Sequence, residues 1–177
     1  ICPLYSWLTD PTMQSIAAEN NLAETAFFVP DDTGEADFHL RWFTPAVEVD
    51  LGGHATLASA ALIFDDLMPD RQEISFRTRS GVLKVRRDGD LYVMNFPSYP
   101  PAKRDVPAGL FEALGTEPVA LYDAPQEPER DRLMAVFENE DQVRALSPDF
   151  GALKRLPSVS IMATAPGWQV DFVSRYF

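Results

Sequence analysis

Hydrophobic and polar residues alternate along much of the chain, in short runs that turn-forming residues separate. Alternation of this kind is typical of strands with one buried face. The runs predict strands over 24–29, 37–43, 73–78, 82–87 and 91–96, and again near 118–123, 132–138, 159–164 and 169–177. Asp88-Gly89 is a strong hairpin signal between two of them. Few helical segments interrupt these runs, so the sequence predicts an α+β protein with mostly antiparallel sheets.

Helical signals are fewer but clear. Asp10-Pro11 predicts a helix start, with Asp10 as the cap and Pro11 at the first helical position, and the helix should stop at Asn20-Asn21. Further helices are predicted over 54–67, 107–114 and 139–155. The segment 54–67 is apolar on all sides, which predicts a helix that is surrounded by protein. Strands wrapped around this helix would give a barrel or roll.

A linker is predicted after the first group of strands. The segment 97–101 reads PSYPP, and the charged Lys103-Arg104-Asp105 follows it. We therefore expect a first domain over 1–104, with its central helix at about 54–67, and a second domain over 105–177. The second half has similar strands but no equivalent apolar helix, so we expect it to be an incomplete copy whose central helix is missing.

Composition excludes several classes of function. The 177 residues carry a net charge of −12, which argues against nucleic acid or an anionic membrane as a partner. Two histidines and one cysteine are too few for a typical zinc site, so no metal is expected and a metal-dependent hydrolase is disfavoured. No nucleophile elbow, Walker loop or dinucleotide fingerprint occurs. The chain shows no signal-peptide pattern, and its single cysteine, Cys2, fits a reducing compartment, so a cytoplasmic location is expected.

The start of the predicted apolar helix is the first candidate for chemistry. Helix N-termini present unpaired N–H groups and a partial positive charge, and Gly52 and Gly53 let the backbone approach a ligand closely. A carboxylate or phosphate could bind there, with His54 beside it as a donor or proton shuttle. The alternative is that Gly52-Gly53 is a tight turn and His54 a structural histidine.

Glu24 is the second candidate. It opens a strand and shares a face with Ala26 and Phe28, where burial would favour a general acid/base, but a strand-end glutamate that points to water is the alternative. His39 is predicted to lie on a solvated face. Asp50 is expected to bond backbone amides as a cap. Three aromatic residues line either a binding site or the core, and the spacing leaves this open: Phe28, Trp42 and Phe43.

The chain resembles the phenazine-biosynthesis PhzF-like family. Residues 13–27 (MQSIAAENNLAETAF) are similar to its segment ending in N-L-(S/A)-E-(T/S), and 40–58 (LRWFTPAVEVDLGGHATLA) to its second signature. Pro148-Asp149-Phe150 and 165–177 (APGWQVDFVSRYF) resemble its second half, so that the resemblance covers essentially the whole chain.

The resemblance implies a diaminopimelate epimerase-like fold, in which two similar domains each wrap a curved, mostly antiparallel sheet around a central helix and the active site lies in the cleft between them. It also implies an isomerase that moves a proton on a small carboxylated substrate without any cofactor, and a homodimer. Carried over by position, Glu24 becomes the general acid/base. His54 positions substrate or assists proton transfer, and the amides of Gly53, His54 and Ala55 hold the carboxylate.

Two features depart from the family pattern. Many relatives carry cysteine where this chain has Gly52, so the two-thiol racemisation of diaminopimelate epimerase is unsupported and a single carboxylate would have to move the proton. The family also begins with a G-N-P strand and continues past R-Y-F into a D-P-(V/A)-T-G-S-A segment, and neither occurs in this sequence. Relatives with unassigned activity give a second hypothesis, a binding protein of the same fold with a ligand or protein partner and no turnover.

Overall fold

The structure is a computed structural model that describes residues 1–96, 98, 100–123, 131–156 and 159–177. It divides into two compact units, Ile1–Pro97 and Ser98–Phe177. Each unit combines one sheet with short helices, and most of the strand pairings are antiparallel. The predicted α+β class is confirmed.

The first unit contains a sheet with the strand order β1-β2-β3-β5-β6-β7, and β4 also pairs with β3. The pairs β1–β2 and β3–β5 are parallel, and the other pairs are antiparallel. The strand bounds are β1 Cys2–Pro3, β2 Thr25–Pro30, β3 Phe38–Phe43, β4 Glu48–Val49, β5 Glu73–Thr78, β6 Gly81–Asp88 and β7 Leu91–Asn95.

Two helices accompany this sheet. Helix α1 spans Asp10–Asn20, and helix α2 spans Gly53–Leu62 and continues as a π-helical turn over Ile63–Leu67. The prediction that Asp10 caps α1 is wrong. Thr9 is extended and accepts a hydrogen bond from the Thr12 N–H at 3.4 Å, whereas Asp10 is already helical and its carboxylate lies 2.9 Å from Arg41 Nη1.

The two faces of the first sheet pack against different helices. Because side chains alternate along a strand, β2 places Ala26 and Phe28 on the α2 side and Phe27 on the α1 side. Trp42 belongs to the larger core on the α2 side, and Phe43 to the smaller one beneath α1. The open question about Phe28, Trp42 and Phe43 is therefore answered, since all three lie in the core.

Helix α2 is less enclosed than its sequence predicts. One stripe is buried against the sheet, and it comprises Ala55, Thr56, Ser59, Ala60, Ile63 and Phe64. On the opposite side Leu57 and Leu62 are half-buried and Ala58 is exposed. In the part of the chain that the structure describes, the prediction of a helix surrounded on all sides is therefore wrong. Although residues on all sides of α2 are apolar, only one face of the helix is buried.

The second unit contains a sheet with the order β12-β11-β10-β9-β8, in which β10 and β11 are parallel. Helical residues cover one face, where Leu110, Leu121, Leu133, Phe137 and Ile161 are buried in one core. The elements are β8 Ala102–Lys103, α3 Leu110–Leu114, β9 Ala120–Asp123, β10 Asp131–Val136, α4 Glu140–Ala145, α5 Phe150–Leu153, β11 Val159–Pro166 and β12 Phe172–Tyr176.

Two expectations for the second half differ from the structure. The expected boundary after residue 104 falls later than the observed division, because β8 pairs with β9 and Arg104 N–H donates to Leu121 O within the second unit. The helix predicted over 139–155 is two short helices. Leu146 leaves the helical region at ψ 127°, and Pro148 lacks an N–H and disfavours a helical conformation for the residue before it. The absence of a second central helix stays a prediction.

The turn between β2 and β3 is organised by a buried carboxylate, Asp31. It accepts hydrogen bonds from Thr33 Oγ1 at 2.5 Å, from the amides of Glu35 and Ala36, and from Arg77 Nε at 2.7 Å. The Thr33 hydroxyl, followed by Arg77 and the Ala36 amide, lowers the pKa of Asp31 to about 2 against the opposing effect of burial. All of these donors favour the charged carboxylate.

Asp31 therefore makes the stability of the protein depend on pH in the acid range. Because its pKa falls from 3.8 to about 2 on folding, its contribution is complete only above about pH 5 and is lost as the pH falls towards 2. We expect Asp31→Asn to lower the free energy of unfolding at pH 5, and the difference from wild type to shrink as the pH falls towards 2. Denaturant unfolding at several pH values measures this.

Asp32→Asn is the matched control, since the Asp32 side chain is 95% exposed and lies 3.9 Å from the same arginine. A difference between Asp31→Asn and wild type that stays constant from pH 5 to pH 3 would contradict the assignment.

Candidate functional site

Glu24 stands at the point where the chain enters β2. Helix α1 ends at Asn20, and the next residue, Asn21, takes the left-handed conformation at φ 48°, so that the chain turns back towards the sheet. Asn20 Nδ2 donates to Thr25 Oγ1 at 3.1 Å and so fixes the start of the strand. Strand alternation places Glu24 on the α2 side, the side of Ala26, and its side chain is 19% exposed. The alternative of a strand-end glutamate pointing into water is therefore excluded.

His54 stands in the first turn of α2 and faces Glu24. Its Nε2 lies 2.6 Å from Glu24 Oε2, and its side chain is 66% exposed. Glu24 Oε2 is nevertheless buried without a hydrogen bond among the described residues, so this short contact is an ion-pair approach that is not aligned as a hydrogen bond. The structure thus brings the two sequence-predicted candidates together.

Gly52 and Gly53, which precede His54, differ in the space that a side chain would have at each position. Gly52 caps α2 with φ −135° and ψ 92°, a conformation open to any residue. A Cβ at Gly52, however, would lie 2.9 Å from Trp42 Cδ1 and 3.0 Å from Trp42 Cγ, closer than carbon atoms pack. A Cβ at Gly53 would meet only the ring of Phe96, at 3.4 Å. Close approach of the Trp42 ring, rather than backbone conformation, requires glycine at position 52.

The first turn of α2 begins with backbone amides that precede the hydrogen bonds of the helix. The first hydrogen bond of the helix runs from Thr56 N–H to Gly52 O at 3.0 Å, so the amides of Gly53, His54 and Ala55 precede it. Such amides have no partner within a helix and carry its partial positive charge. No side chain caps this end of α2. The amides to which the family resemblance gives a carboxylate-binding role therefore belong to the same helix turn as His54, which contacts Glu24.

The chain that leads into α2 is held by charged groups. Arg41 pairs with both oxygens of Glu48, at 2.7 Å and 2.8 Å, and Arg79 contacts the same carboxylate at 2.7 Å. The predicted cap at Asp50 is wrong, because its carboxylate lies 3.4 Å from Arg79 and does not bond the first turn of α2. Its carbonyl instead accepts a hydrogen bond from Ser80 Oγ at 2.8 Å. Contacts made by residues outside the first turn of α2 therefore fix the position at which the helix starts.

His39 does not belong to this site. It lies on the other face of β3 from Trp42, where its ring meets Trp7 edge-on at 4.9 Å and its Nδ1 lies 3.0 Å from Arg77 Nη2. The ring is half-buried rather than fully solvated. Burial, and then the positive charges of Arg77 and Arg41, lower the pKa of His39. These contacts assign His39 a structural role.

Sequence reasoning left open whether Trp42 lies at the site or in the core, and it did not consider Phe96. Trp42 is 1% exposed and lies beneath Gly52, while Phe96 is 37% exposed and approaches Gly53. No spacing rule links position 42 to position 52, because the contact depends on how α2 sits on the sheet. The only local signal was a glycine pair in front of a helix next to several aromatic residues.

No group of histidine, cysteine and acidic side chains able to hold a metal ion occurs within the described residues. Over the same part of the chain, none of the helices has the length and apolar character needed to cross a membrane.

The profile of the PhzC-PhzF family, described as phenazine biosynthesis-like protein, matches residues 1–177. The chain belongs to this family. It is 46% identical over 177 residues to an uncharacterized isomerase of Pseudomonas aeruginosa, a match that covers 100% of the chain and 65% of the relative. It is 38% identical over 183 residues to an uncharacterized isomerase of Halalkalibacterium halodurans, again with 100% and 65% coverage.

Solved structures of PhzF-family proteins agree with this assignment. A crystal structure of a PhzF-family phenazine biosynthesis protein from Enterococcus faecalis matches with a TM-score of 0.82 and 40% identity, over 99% of this chain and 64% of that one. A predicted epimerase from Pseudomonas aeruginosa matches at a TM-score of 0.65 and 20% identity, over 92% of this chain and 62% of that one, which supports the fold alone.

The expected family and the epimerase-like fold are confirmed. The chain spans less than two thirds of the length of these four relatives.

Proposed function

We propose that this PhzC-PhzF family protein is a cofactor-independent isomerase that moves a proton on a small carboxylated metabolite. Glu24 is the general acid/base, and the first turn of α2 at Gly53 and His54 binds the substrate carboxylate. The observation that carries the proposal is the position of Glu24 Oε2, buried without a hydrogen bond and 2.6 Å from His54 Nε2 beside those amides. Relatives named as isomerases support the reaction class.

The proposed reaction needs only one carboxylate. With the substrate carboxylate on the amides of Gly53, His54 and Ala55, an acidic carbon next to it faces Glu24. The Glu24 carboxylate takes the proton from that carbon, the electron pair spreads into the substrate, and the same carboxylic acid returns the proton at a second position. The atoms balance without an oxidant or reductant. Positive partial charge at the start of α2 stabilises the negative charge that develops.

His54 orients the carboxylate of Glu24 in this scheme. Its 66% exposed ring lies at the open side of the contact, so that it also stands next to any ligand bound at the helix start. A ring N–H there donates to substrate or to Glu24 as the proton moves. Position 52 supplies no side chain, because the Trp42 ring occupies that space. A thiol at 52 is therefore not part of the proposed mechanism.

Deuterium uptake distinguishes an isomerase from a binding protein of the same fold. The protein is incubated in deuterated buffer with a panel of small carboxylated metabolites, and NMR and mass spectrometry follow both isomerised product and deuterium on substrate carbon. We expect at least one metabolite to be isomerised or labelled. Carboxylates that bind at Gly53 and His54 without any product or label would favour the binding protein.

A further inference from the structure

An aromatic ring that the proposed mechanism does not use lies at the start of α2. Phe96 follows β7 directly, and its side chain is 37% exposed. A Cβ at Gly53 would lie 3.4 Å from Phe96 Cζ, so the tip of the ring stands against the first turn of the helix. Because the Cα–Cβ bonds of a helix tilt towards its N-terminus, atoms in front of this Cβ position lie towards the N-terminal end of α2. Part of the ring is thus open at the helix end where the carboxylate is proposed to bind.

The course of β7 explains why the ring lies there. Residues two apart share a face of a strand, so Phe96 continues the row of Tyr92 and Met94 on the α2 side of the sheet. Tyr92 and Met94 pack against the core on that side. The Tyr92 ring stacks on Phe64 at 5.5 Å, near the C-terminal end of the helical segment. The chain therefore runs along α2 from its C-terminal end to its start, and Phe96 is the residue of this row that reaches the first turn.

Phe96 and Glu24 flank the start of α2 from two sides. Strands β2 and β7 both contact α2, and β3, β5 and β6 lie between them in the sheet. Since neighbouring strands are about 4.8 Å apart, β2 and β7 reach the same helix only because the sheet curves around it. Glu24 comes with β2 and contacts His54, whereas Phe96 comes with β7 and contacts Gly53. A carboxylate held by the first amides of α2 would have the acid/base group on one side and an apolar wall on the other.

We propose that Phe96 determines the specificity of this site, because its ring packs against the body of the bound carboxylate and selects a substrate with an apolar group next to its carboxylate. The proposal rests on the proposed function, since it takes the amides of Gly53 and His54 as the carboxylate site. A substrate with an apolar body covers the exposed ring and removes apolar surface from water on both partners. A compact or polar carboxylate gains less. The ring touches the substrate and takes no part in proton transfer.

Three carboxylates that differ in size and polarity test the proposal by NMR of the ¹⁵N-labelled protein. Acetate reports on carboxylate binding alone, cyclohexanecarboxylate adds an apolar ring, and tetrahydropyran-4-carboxylate replaces one methylene of that ring with an ether oxygen. Shifts of the Gly53 and His54 amides give each affinity at constant ionic strength. We expect cyclohexanecarboxylate to bind about tenfold more tightly than acetate, the gain from burying about 60 Å² of apolar surface. The affinity of the ether should lie between the two.

Phe96→Ala removes the ring, and Val93→Ala is its matched control. Val93 is also 37% exposed, but strand alternation places it on the opposite face of β7. We expect the preference for cyclohexanecarboxylate over acetate to shrink to about twofold or less in Phe96→Ala, because the apolar surface that the ligand buries is lost. Val93→Ala should keep the wild-type preference. Phe96→Leu retains an apolar side chain and should keep part of it.

A direct contact gives a second readout that needs no variant. If the ring packs against the ligand, nuclear Overhauser effects are expected between the ring protons of Phe96 and the cyclohexyl protons of bound cyclohexanecarboxylate. The protein has twelve phenylalanines, so the Phe96 ring signals are assigned before the ligand is added. This measurement on the wild-type protein decides the question even where Phe96→Ala does not fold.

The outcomes separate this proposal from the proposed function. Amides of Gly53 and His54 that respond equally to acetate and cyclohexanecarboxylate, without an Overhauser effect to Phe96, would overturn the role of Phe96 and leave the carboxylate site standing. A folded Phe96→Ala that keeps the full preference would do the same. No response of these amides to any of the three carboxylates would overturn the carboxylate site and the role of Phe96 together, whereas deuterium uptake still reports on Glu24.

Discussion

Replacing Gly52 with serine is expected to lower the free energy of unfolding by about 1–3 kcal/mol, the usual cost of forcing extra atoms into a packed core. Serine is among the best residues at a helix N-cap, and the backbone of Gly52 at φ −135° suits it, so capping alone predicts stabilisation. The Trp42 ring predicts the opposite, because a Cβ would lie 2.9 Å from Cδ1 of a fully buried side chain. Denaturant unfolding of wild type and Gly52→Ser measures whether the free energy of unfolding falls or rises.

Gly53→Ala is the matched control for this prediction. Its Cβ would meet Phe96 at 3.4 Å, an ordinary contact, and alanine is the better helix former. We expect its free energy of unfolding to be unchanged or raised by up to about 1 kcal/mol. A Gly52→Ser variant as stable as Gly53→Ala would show that Trp42 does not restrict position 52, and that a thiol could be accommodated there.

Glu24→Gln is expected to slow isomerisation, or deuterium uptake where that is the readout, by a factor of about 10² to 10⁴, the range for losing a general acid/base. Glutamine keeps the shape of the side chain but cannot take and return a proton. The fold should survive, because an exposed partner such as His54 makes the lost ion pair worth at most about 1 kcal/mol. The rate is measured with whichever metabolite the panel identifies.

Glu19→Gln is the control for Glu24→Gln. Glu19 is exposed on α1, so this substitution makes the same chemical change away from the site. It should react at the wild-type rate. A folded Glu24→Gln that keeps more than half of the wild-type rate would remove Glu24 from the mechanism.

Local sequence rules found most of the strands and the helix that carries the site. Alternation placed β5 at Glu73–Thr78, and an apolar run after two glycines placed α2 within one residue of its observed start at Gly53. These features depend on neighbours in the sequence. The choice of Thr9 over Asp10 as a cap could not be predicted, because both residue types cap well and tertiary pairing with Arg41 decides between them.

The candidate site was accessible to sequence reasoning only in part. Glu24 and His54 could be proposed from position and from the family resemblance, but residue spacing left the structural alternatives open. Their contact depends on α2 packing against the start of β2. The dependence of Gly52 on Trp42 is a contact across ten residues that no periodicity encodes. The break near Pro148 is the opposite case. Proline is a local signal for the end of a helix, but the sequence prediction followed the helical pattern around it and gave one helix where the structure has two.

A crystal structure of the protein with the metabolite that reacts fastest tests the central claim most directly. The account predicts a substrate carboxylate within hydrogen-bond distance, about 2.7–3.1 Å, of the amides of Gly53, His54 or Ala55. It also predicts the acidic carbon about 3–3.5 Å from the carboxylate of Glu24. A reacting metabolite bound away from the start of α2, or with no exchangeable carbon near Glu24, would contradict it.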